Sequence, residues 1–260
     1  MSILDALILG LVQGVTEFLP ISSDGHLALA QHLLGQVQPL FFDVAVHVAT
    51  LAAIVIAFRE AIWKLLRGVI AADRDSRGEL GLYAAASVPT VVAGLVLEPR
   101  IEAIKESLWF VGAAFVVMGV VLWSARRRMD GARRTPTLLE AVAIGVGQAA
   151  AILPAISRSG STITIALWRG IEPIRAAEFS FVLGVPAIAG AALLEARHLT
   201  QGLDRVGILP LGVAMASAFL SGLGAIALLR RMLRARAFHR FAPYLWLVGA
   251  ATLVLAGLRR

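Results

Sequence analysis

The sequence contains no cysteine. That excludes disulfides and thiolate metal sites, and it leaves the redox compartment undecided. Charge is scarce as well. Asp, Glu, Lys and Arg make up 16% of the 260 residues, against 58% hydrophobic residues and a mean hydropathy of +0.81. A soluble domain of this length does not need so much apolar sequence. Lysine is nearly missing: only Lys64 and Lys105 stand among the 24 basic residues. No basic segment precedes the first apolar run, which itself carries Asp5, Gln13 and Glu17. A cleaved signal peptide is therefore not expected. The formal net charge of +7 comes from arginines grouped in short loops between apolar stretches. That pattern fits a membrane protein that obeys the positive-inside rule and faces anionic lipid, and no nucleic-acid partner is expected.

What the chain does have is a succession of apolar segments. Six are long enough to cross a bilayer: Leu40 to Phe58, Leu80 to Leu97, Ser107 to Trp123, Phe179 to Leu194, Val206 to Leu229 and Phe241 to Leu258. A crossing needs roughly 20 mostly apolar residues, with latitude for tilt. Two further apolar regions, Ile3 to Leu34 and Leu138 to Trp168, are broken near their middles by Pro, Gly and polar residues. Each half holds only about a dozen residues, too few to span alone. A hairpin that enters and leaves on one side fits better.

Charge orients this scheme. With the first full span running outside to inside, the loops Arg59–Glu79, Ala125–Thr137, Arg169–Ala177 and Arg230–Arg240 face the cytoplasm and hold 17 basic residues. The outer segments hold six: Arg100, Lys105, Arg197, Arg205, Arg259 and Arg260. The imbalance favours this orientation, with the terminal Arg259-Arg260 pair discordant. The first hairpin then dips in from outside and the second from inside. The expected fold is an all-α polytopic membrane protein with an inverted-topology repeat, two re-entrant hairpins and six transmembrane helices. Residues 1–124 form one repeat, 138–260 the other, and 125–137 a cytoplasmic linker within a single membrane domain. Broken helices that meet near the midplane build the site in such architectures, and irregular backbone at that depth needs a protein-lined cavity.

The breaks share a pattern. One reads Ile21-Ser22-Ser23-Asp24-Gly25-His26 and the other Ile156-Ser157-Arg158-Ser159-Gly160-Ser161. Leu19-Pro20 and Leu153-Pro154 closely precede them, and Gly10 to Gln13 and Gly145 to Gln148 both read Gly-x-x-Gln. Of the basic residues, Arg158 alone lies inside an apolar region. Ser is a good N-cap, and a helix N-terminus offers free N–H groups and partial positive charge. Two such ends around Arg158 form an anion site, and Arg matches phosphate bidentately. Ser22, Ser23, Ser157, Ser159 and Thr162 add hydroxyls.

Glu17 and His26 turn binding into candidate chemistry. A carboxylate holds Mg²⁺ or Ca²⁺ against phosphate, or takes a proton. A His serves as acid, base or nucleophile, and Ser23 attacks phosphorus if a base is in reach. The set permits phosphoryl transfer to water by positioning and charge neutralisation. The competing reading makes the Ser-Gly breaks packing kinks, Arg158 a structural ion pair neutralised by Glu17, and His26 a capped structural residue. Asp43 and His47, at i and i+4 of one span, share a face and read as structural or lining residues.

At these residues the chain resembles the undecaprenyl-diphosphate phosphatases of bacterial cell-wall synthesis, over nearly its full length. That family's first motif, Glu/Gln-x-x-x-Glu then Pro-x-Ser-Ser-x-Gly-His, matches Gln13 through Glu17 and Pro20-Ile21-Ser22-Ser23-Asp24-Gly25-His26. Its second, Pro-Gly-x-Ser-Arg-Ser-Gly, matches Pro154-Ala155-Ile156-Ser157-Arg158-Ser159-Gly160. The stretches Val88 to Glu98 and Glu178 to Pro186 also look like family sequence. The resemblance implies hydrolysis of a C55 lipid diphosphate at a site open to the outer face of the bacterial inner membrane, aided by Mg²⁺ or Ca²⁺, in peptidoglycan synthesis and bacitracin resistance. It implies catalytic roles for Glu17, Ser23, His26 and Arg158. Gln13, Ser22, Asp24, Gly25, Ser157, Ser159, Gly160 and Thr162 form the candidate substrate-binding set, and Glu17 and Asp24 are candidate metal ligands. The attacking group stays open between Ser23, His26 and water. A homodimer stays open too, as does a polyprenyl-phosphate flippase built on the same repeat. Three departures stand out: Asp24 where Thr or Ser is usual, Ala155 where the family has Gly, and Leu245 after Tyr244 where Arg is common.

Overall fold

The computed structural model describes residues 1–35, 38–105, 107–195 and 206–258; side chains 97–103, 105, 191, 194 and 195 also fall outside the description. The six outward basic residues used for the charge count therefore lie outside the described residues or side chains. The chain is helical: α1 Ile3–Phe18, α2 Ser23–Leu33, α3 Leu40–Ala57, α4 Arg59–Ile70, α5 Arg74–Lys105, α6 Leu108–Ser124, α7 Leu138–Ala150, α8 Arg158–Trp168, α9 Pro173–Glu195, α10 Ile208–Arg234 and α11 Ala242–Leu258. Among the described residues there is no strand, and one isolated bridge joins Arg133 to Ile171.

Among the described residues five helices are long and apolar enough to cross a membrane: Leu40–Ala57, Arg74–Val96, Leu108–Arg127, Ile208–Arg234 and Phe238–Leu258. The chain is a multi-pass membrane protein. Large apolar side chains stand exposed along these helices, among them Leu95, Val117, Leu220, Leu247 and Val254. In water that surface is a liability; in lipid it is the expected exterior. The span expected over Phe179 to Leu194 falls within α9, which carries Pro186 inside the helix and is not one of the five.

Two expectations need correction. The segment 59–79, read as a loop, contains the helix α4. Ile62 and Leu65 pack on the core while Trp63, Leu66 and Ile70 point outward, so α4 has an apolar stripe on two sides and no fully buried residue. The α5 helix also starts at Arg74, six residues before the apolar run that predicted it. Helix continues through this charged sequence, Gly78 included, with Asp73 accepting from the Ser76 backbone N–H and hydroxyl at its start.

The two broken regions fold as short helix pairs. In the first, α1 ends at Phe18 and α2 begins at Ser23; in the second, α7 ends at Ala150 and α8 begins at Arg158. Capping boxes open α1 and α7, at Ser2 with Asp5 and at Thr137 with Glu140. The long helices pack in pairs. Helix α1 lies on α10 and α7 lies on α5; α3 meets α9, and α6 meets α11. Glycines allow the first two approaches. A Cβ on Gly10 would stand 2.2 Å from the Ala214 carbonyl oxygen, and one on Gly145 2.0 Å from that of Ala86. Both lie far inside contact distance, so only Gly lets these backbones meet.

Each break carries one non-glycine residue in the left-handed region. Ser22 has φ 70° and Ala155 has φ 64°. Ala155 is 1% exposed and stands where the resembled motif has Gly. A left-handed conformation costs a non-glycine residue about 1–2 kcal/mol. Ala155→Gly removes the clash of that Cβ at some cost in unfolded-chain entropy. It is expected to stabilise the protein by about 1 kcal/mol, read as a raised midpoint of thermal unfolding in detergent; an unchanged or lowered midpoint contradicts the strain.

Candidate active site

The ends of the two helix pairs touch. Ser159 Oγ donates to the Leu19 carbonyl at 3.3 Å, and Gly160 approaches Pro20 and Met118 so closely that a Cβ would stand 3.2 Å and 2.7 Å from them. At this junction a carboxylate from one pair meets a guanidinium from the other. Arg158 Nη2 donates to Glu17 Oε1 at 2.5 Å. The pair is well shielded: the side chains of Glu17 and Arg158 are 6% and 17% exposed.

Glu17 collects more donors. Ser23 Oγ donates to Oε2 at 2.7 Å, and Gln13 Nε2 donates to the same atom at 3.2 Å. Helix periodicity explains Gln13, which sits one turn before Glu17 on α1. Ser23 reaches back because α2 starts directly above the end of α1. His47, on α3, brings Nε2 to 3.6 Å from Glu17 Oε2 and 3.9 Å from Asp24 Oδ1. The Asp24 side chain is 64% exposed.

Arg158 is held from behind. Its guanidinium carbon lies 6.0 Å from the Phe181 ring centroid, and Phe181 packs on Phe18 and Phe58. Its Nη1 is buried, with no hydrogen-bond partner among the described residues. A buried, unsatisfied cationic donor is costly unless something fills it. This one packs against the Gly184 backbone on α9.

The remaining predicted residues divide. Ser157 caps α8, accepting from Gly160 N at 3.1 Å, as its sequence position implies. Ser22 does not cap α2 through its side chain; its φ of 70° turns the residue away, and its carbonyl instead accepts from His26 Nδ1 at 2.8 Å. Thr162 is fully buried, bonded to Ser180 at 2.6 Å and to the Arg158 carbonyl at 2.8 Å. It braces α8 in this structure. Gly25 gives room to Phe115.

His26 faces away from the ion pair. Its Nδ1–H goes to the Ser22 carbonyl, so its Nε2 accepts from Tyr244 Oη, at 2.6 Å. The two rings stack at 5.6 Å. Leu245 is fully buried in the core, so no charge stands where the resembled family has Arg.

A divalent cation does not fit Glu17. Arg158 takes one oxygen, and Ser23, Gln13 and His47 surround the other. Among the described residues no three His, Cys, Asp or Glu side chains are grouped to hold a metal. Asp24 alone offers an open carboxylate.

Residues 6–251 match the bacitracin resistance protein BacA family. The chain belongs to that family. Similar BacA-family relatives are the undecaprenyl-diphosphatases of Desulfosudis oleivorans, 40% identical over 96% of this chain and 97% of that one, and of Carboxydothermus hydrogenoformans, 40% identical over 98% of each. The undecaprenyl-diphosphatase of Nocardioides sp. is 36% identical over 97% of this chain and 96% of its own. Full-length coverage places both broken regions within the shared sequence.

Sequence reasoning brought Glu17, Ser23 and Arg158 together and missed three residues. His47 was visible as a polar residue in a span, but nothing in the sequence joins it to Glu17. Tyr244 was visible only as the Tyr that precedes the departure at Leu245, with nothing to join it to His26. Gly184 gave none: a Cβ there would stand 2.2 Å from Arg158 Nη1. Gly184→Ala is therefore expected to push the guanidinium off Glu17 and its anion position. A displacement of about 1 Å costs roughly 100-fold in rate, measurable as phosphate release, while thermal unfolding shows the fold intact. Release within threefold of wild type contradicts the placement.

Proposed function

We propose that this BacA-family chain hydrolyses undecaprenyl diphosphate to undecaprenyl phosphate and inorganic phosphate, at a membrane-embedded site open to the outer face of the bacterial plasma membrane. The reaction returns a lipid carrier to cell-wall synthesis. The observation that carries the reading is the buried Glu17–Arg158 pair, with a hydroxyl on the carboxylate and an unfilled donor on the guanidinium. The relatives' names supply the substrate.

The geometry assigns the parts. The Arg158 guanidinium faces a terminal phosphate, beside the N-termini of α2 and α8. Ser23 is the hydroxyl with a base in reach, at 2.7 Å. Its Oγ attacks the terminal phosphorus, its proton passes to Glu17 Oε2, and undecaprenyl phosphate leaves. Water then releases inorganic phosphate from Ser23 and the hydroxyl is restored. His26, with both ring nitrogens engaged, is not placed to attack. A divalent cation, when bound, neutralises phosphate charge, and Asp24 is the residue open to it.

The architecture proposed from the sequence is supported by the packing. Helix α1 packs on α10 as α7 packs on α5, while α3 meets α9 and α6 meets α11, the pairing that two copies of one helix order would give. That is the contact pattern of repeats 1–124 and 138–260 in inverted orientation. The short pairs α1–α2 and α7–α8 are then re-entrant hairpins from opposite faces, and α9 completes six crossings. The cytoplasmic placement of 125–137 rests on the arginine distribution. A flippase would use the same repeat, but it has no need of a serine hydroxyl on a carboxylate.

One experiment tests activity and orientation together. Right-side-out and inside-out vesicles from an overproducing strain receive undecaprenyl diphosphate, with Arg158→Ala vesicles as background. Right-side-out vesicles are expected to release phosphate, and Glu17→Ala to lose at least about 100-fold. No release above background refutes hydrolysis; faster release by inside-out vesicles refutes the outer-facing site.

A further inference from the structure

Ser23 follows directly on Ser22, whose φ of 70° lies in the left-handed region. Ser22 is buried, and its side chain does not cap α2. The second break solves the same problem differently. Ser157, at the matching position, has φ −75° and caps α8 itself, accepting from Gly160 N at 3.1 Å. The first break needs a hold from elsewhere, and His26 supplies it. The Ser22 carbonyl accepts from His26 Nδ1 at 2.8 Å. In the second break the place of His26 is taken by Ser161, which donates to Met118 Sδ at 3.6 Å instead.

The hold works only while the ring presents an N–H to that carbonyl. A neutral imidazole has one N–H, and the partner of the other nitrogen decides where it sits. The other nitrogen, Nε2, lies 2.6 Å from Tyr244 Oη. The phenol donates to it as a bare nitrogen, which leaves the proton on Nδ1. The other tautomer would set a lone pair against the Ser22 carbonyl, and a flipped ring would set a C–H there.

Two aromatic rings fix the plane of the imidazole. Tyr244 stacks on it with centroids 5.6 Å apart and planes 19° apart, and Phe115 meets it edge-on at 5.8 Å. Phe115 also lies so close to Gly25 that a Cβ there would stand 2.8 Å from Cζ. These rings fill the space around His26, but neither distinguishes one edge of the imidazole from the other. The Tyr244 hydroxyl does. It reaches across from α11, 218 residues along the chain, and ties the start of α2 to the last helix.

We propose that Tyr244 is a positioning residue for the reaction at Ser23: its hydroxyl fixes the His26 imidazole, which holds the Ser22 carbonyl and with it the turn that presents Ser23 to Glu17. The inference rests on the phosphatase reading above. The test uses purified full-length protein and undecaprenyl diphosphate, with kcat and KM measured separately. Tyr244→Phe keeps the ring stack and removes only the hydroxyl. It is expected to lower kcat about tenfold, the upper range for one neutral hydrogen bond, with KM changed less than about twofold. His26→Asn keeps a short amide donor for the Ser22 carbonyl and cannot reach Tyr244. In that background Tyr244→Phe is expected to cost less than about twofold, because the hydroxyl has lost the group it acts through. A packing role would cost the same in both backgrounds. If His26→Asn does not fold, His26→Ala takes its place in the same cycle. Wild-type-like kcat in Tyr244→Phe, or an undiminished loss in the His26 variant, overturns the role of Tyr244. A wild type that releases no phosphate overturns the phosphatase reading and this inference with it.

Discussion

Two charges taken out of water, 141 residues apart, depend on each other: Glu17 and Arg158. Removing one partner of such a pair leaves the other buried alone, at a cost of about 3–5 kcal/mol, while an apolar pair of the same volume would often be as stable. Stability therefore does not explain the pair. Its atoms do. One face of the carboxylate takes the Ser23 hydroxyl, and one nitrogen of the guanidinium is left with nothing to bond. The pair also fixes the architecture around it. It can form only if the ends of α1 and α8 meet, and Gly160 lets them approach where a Cβ would crowd Pro20 and Met118. The aromatic core of Phe18, Phe58 and Phe181 then supports the guanidinium from behind.

Much of this was legible in the sequence. The broken regions Ile3 to Leu34 and Leu138 to Trp168 became helix pairs with breaks at the Leu-Pro steps, because Pro and the polar cluster interrupt helices too short to span. Arg158 stood out since a lone cation in apolar sequence has to be paired. Other features were hidden for physical reasons. The α4 helix was read as loop because its apolar residues form two separate stripes among charges, which a search for long runs misses. His47 and Tyr244 reach the site through tertiary contact, and one sequence carries no record of that. The relation of His26 to Tyr244 rather than to Glu17 followed from which face of α2 it occupies. Ser22 was expected to cap α2 and its backbone conformation prevents it.

The two halves share a plan and differ in content. Gln13 and Gln148 are both buried, each with a carbonyl oxygen unpaired, yet only the first half carries Glu17, Ser23 and His47. The second contributes Arg158 and the braced start of α8. In the proposed inverted repeat the two breaks are hairpin tips, and the difference in their side chains would make one the reaction centre and the other the anion clamp. Strain at Ser22 and Ala155 lies at these same tips, where function most often holds a backbone in an unfavourable conformation.

The central claim is that Glu17 and Arg158 act as one unit. A double-mutant cycle on phosphate release tests it most directly, with Glu17→Ala, Arg158→Ala and the double variant measured against wild type under one condition. Residues that work as a unit are strongly non-additive. The double variant is predicted to be no slower than the slower single variant, within about threefold. Losses that multiply across the two sites would contradict the account.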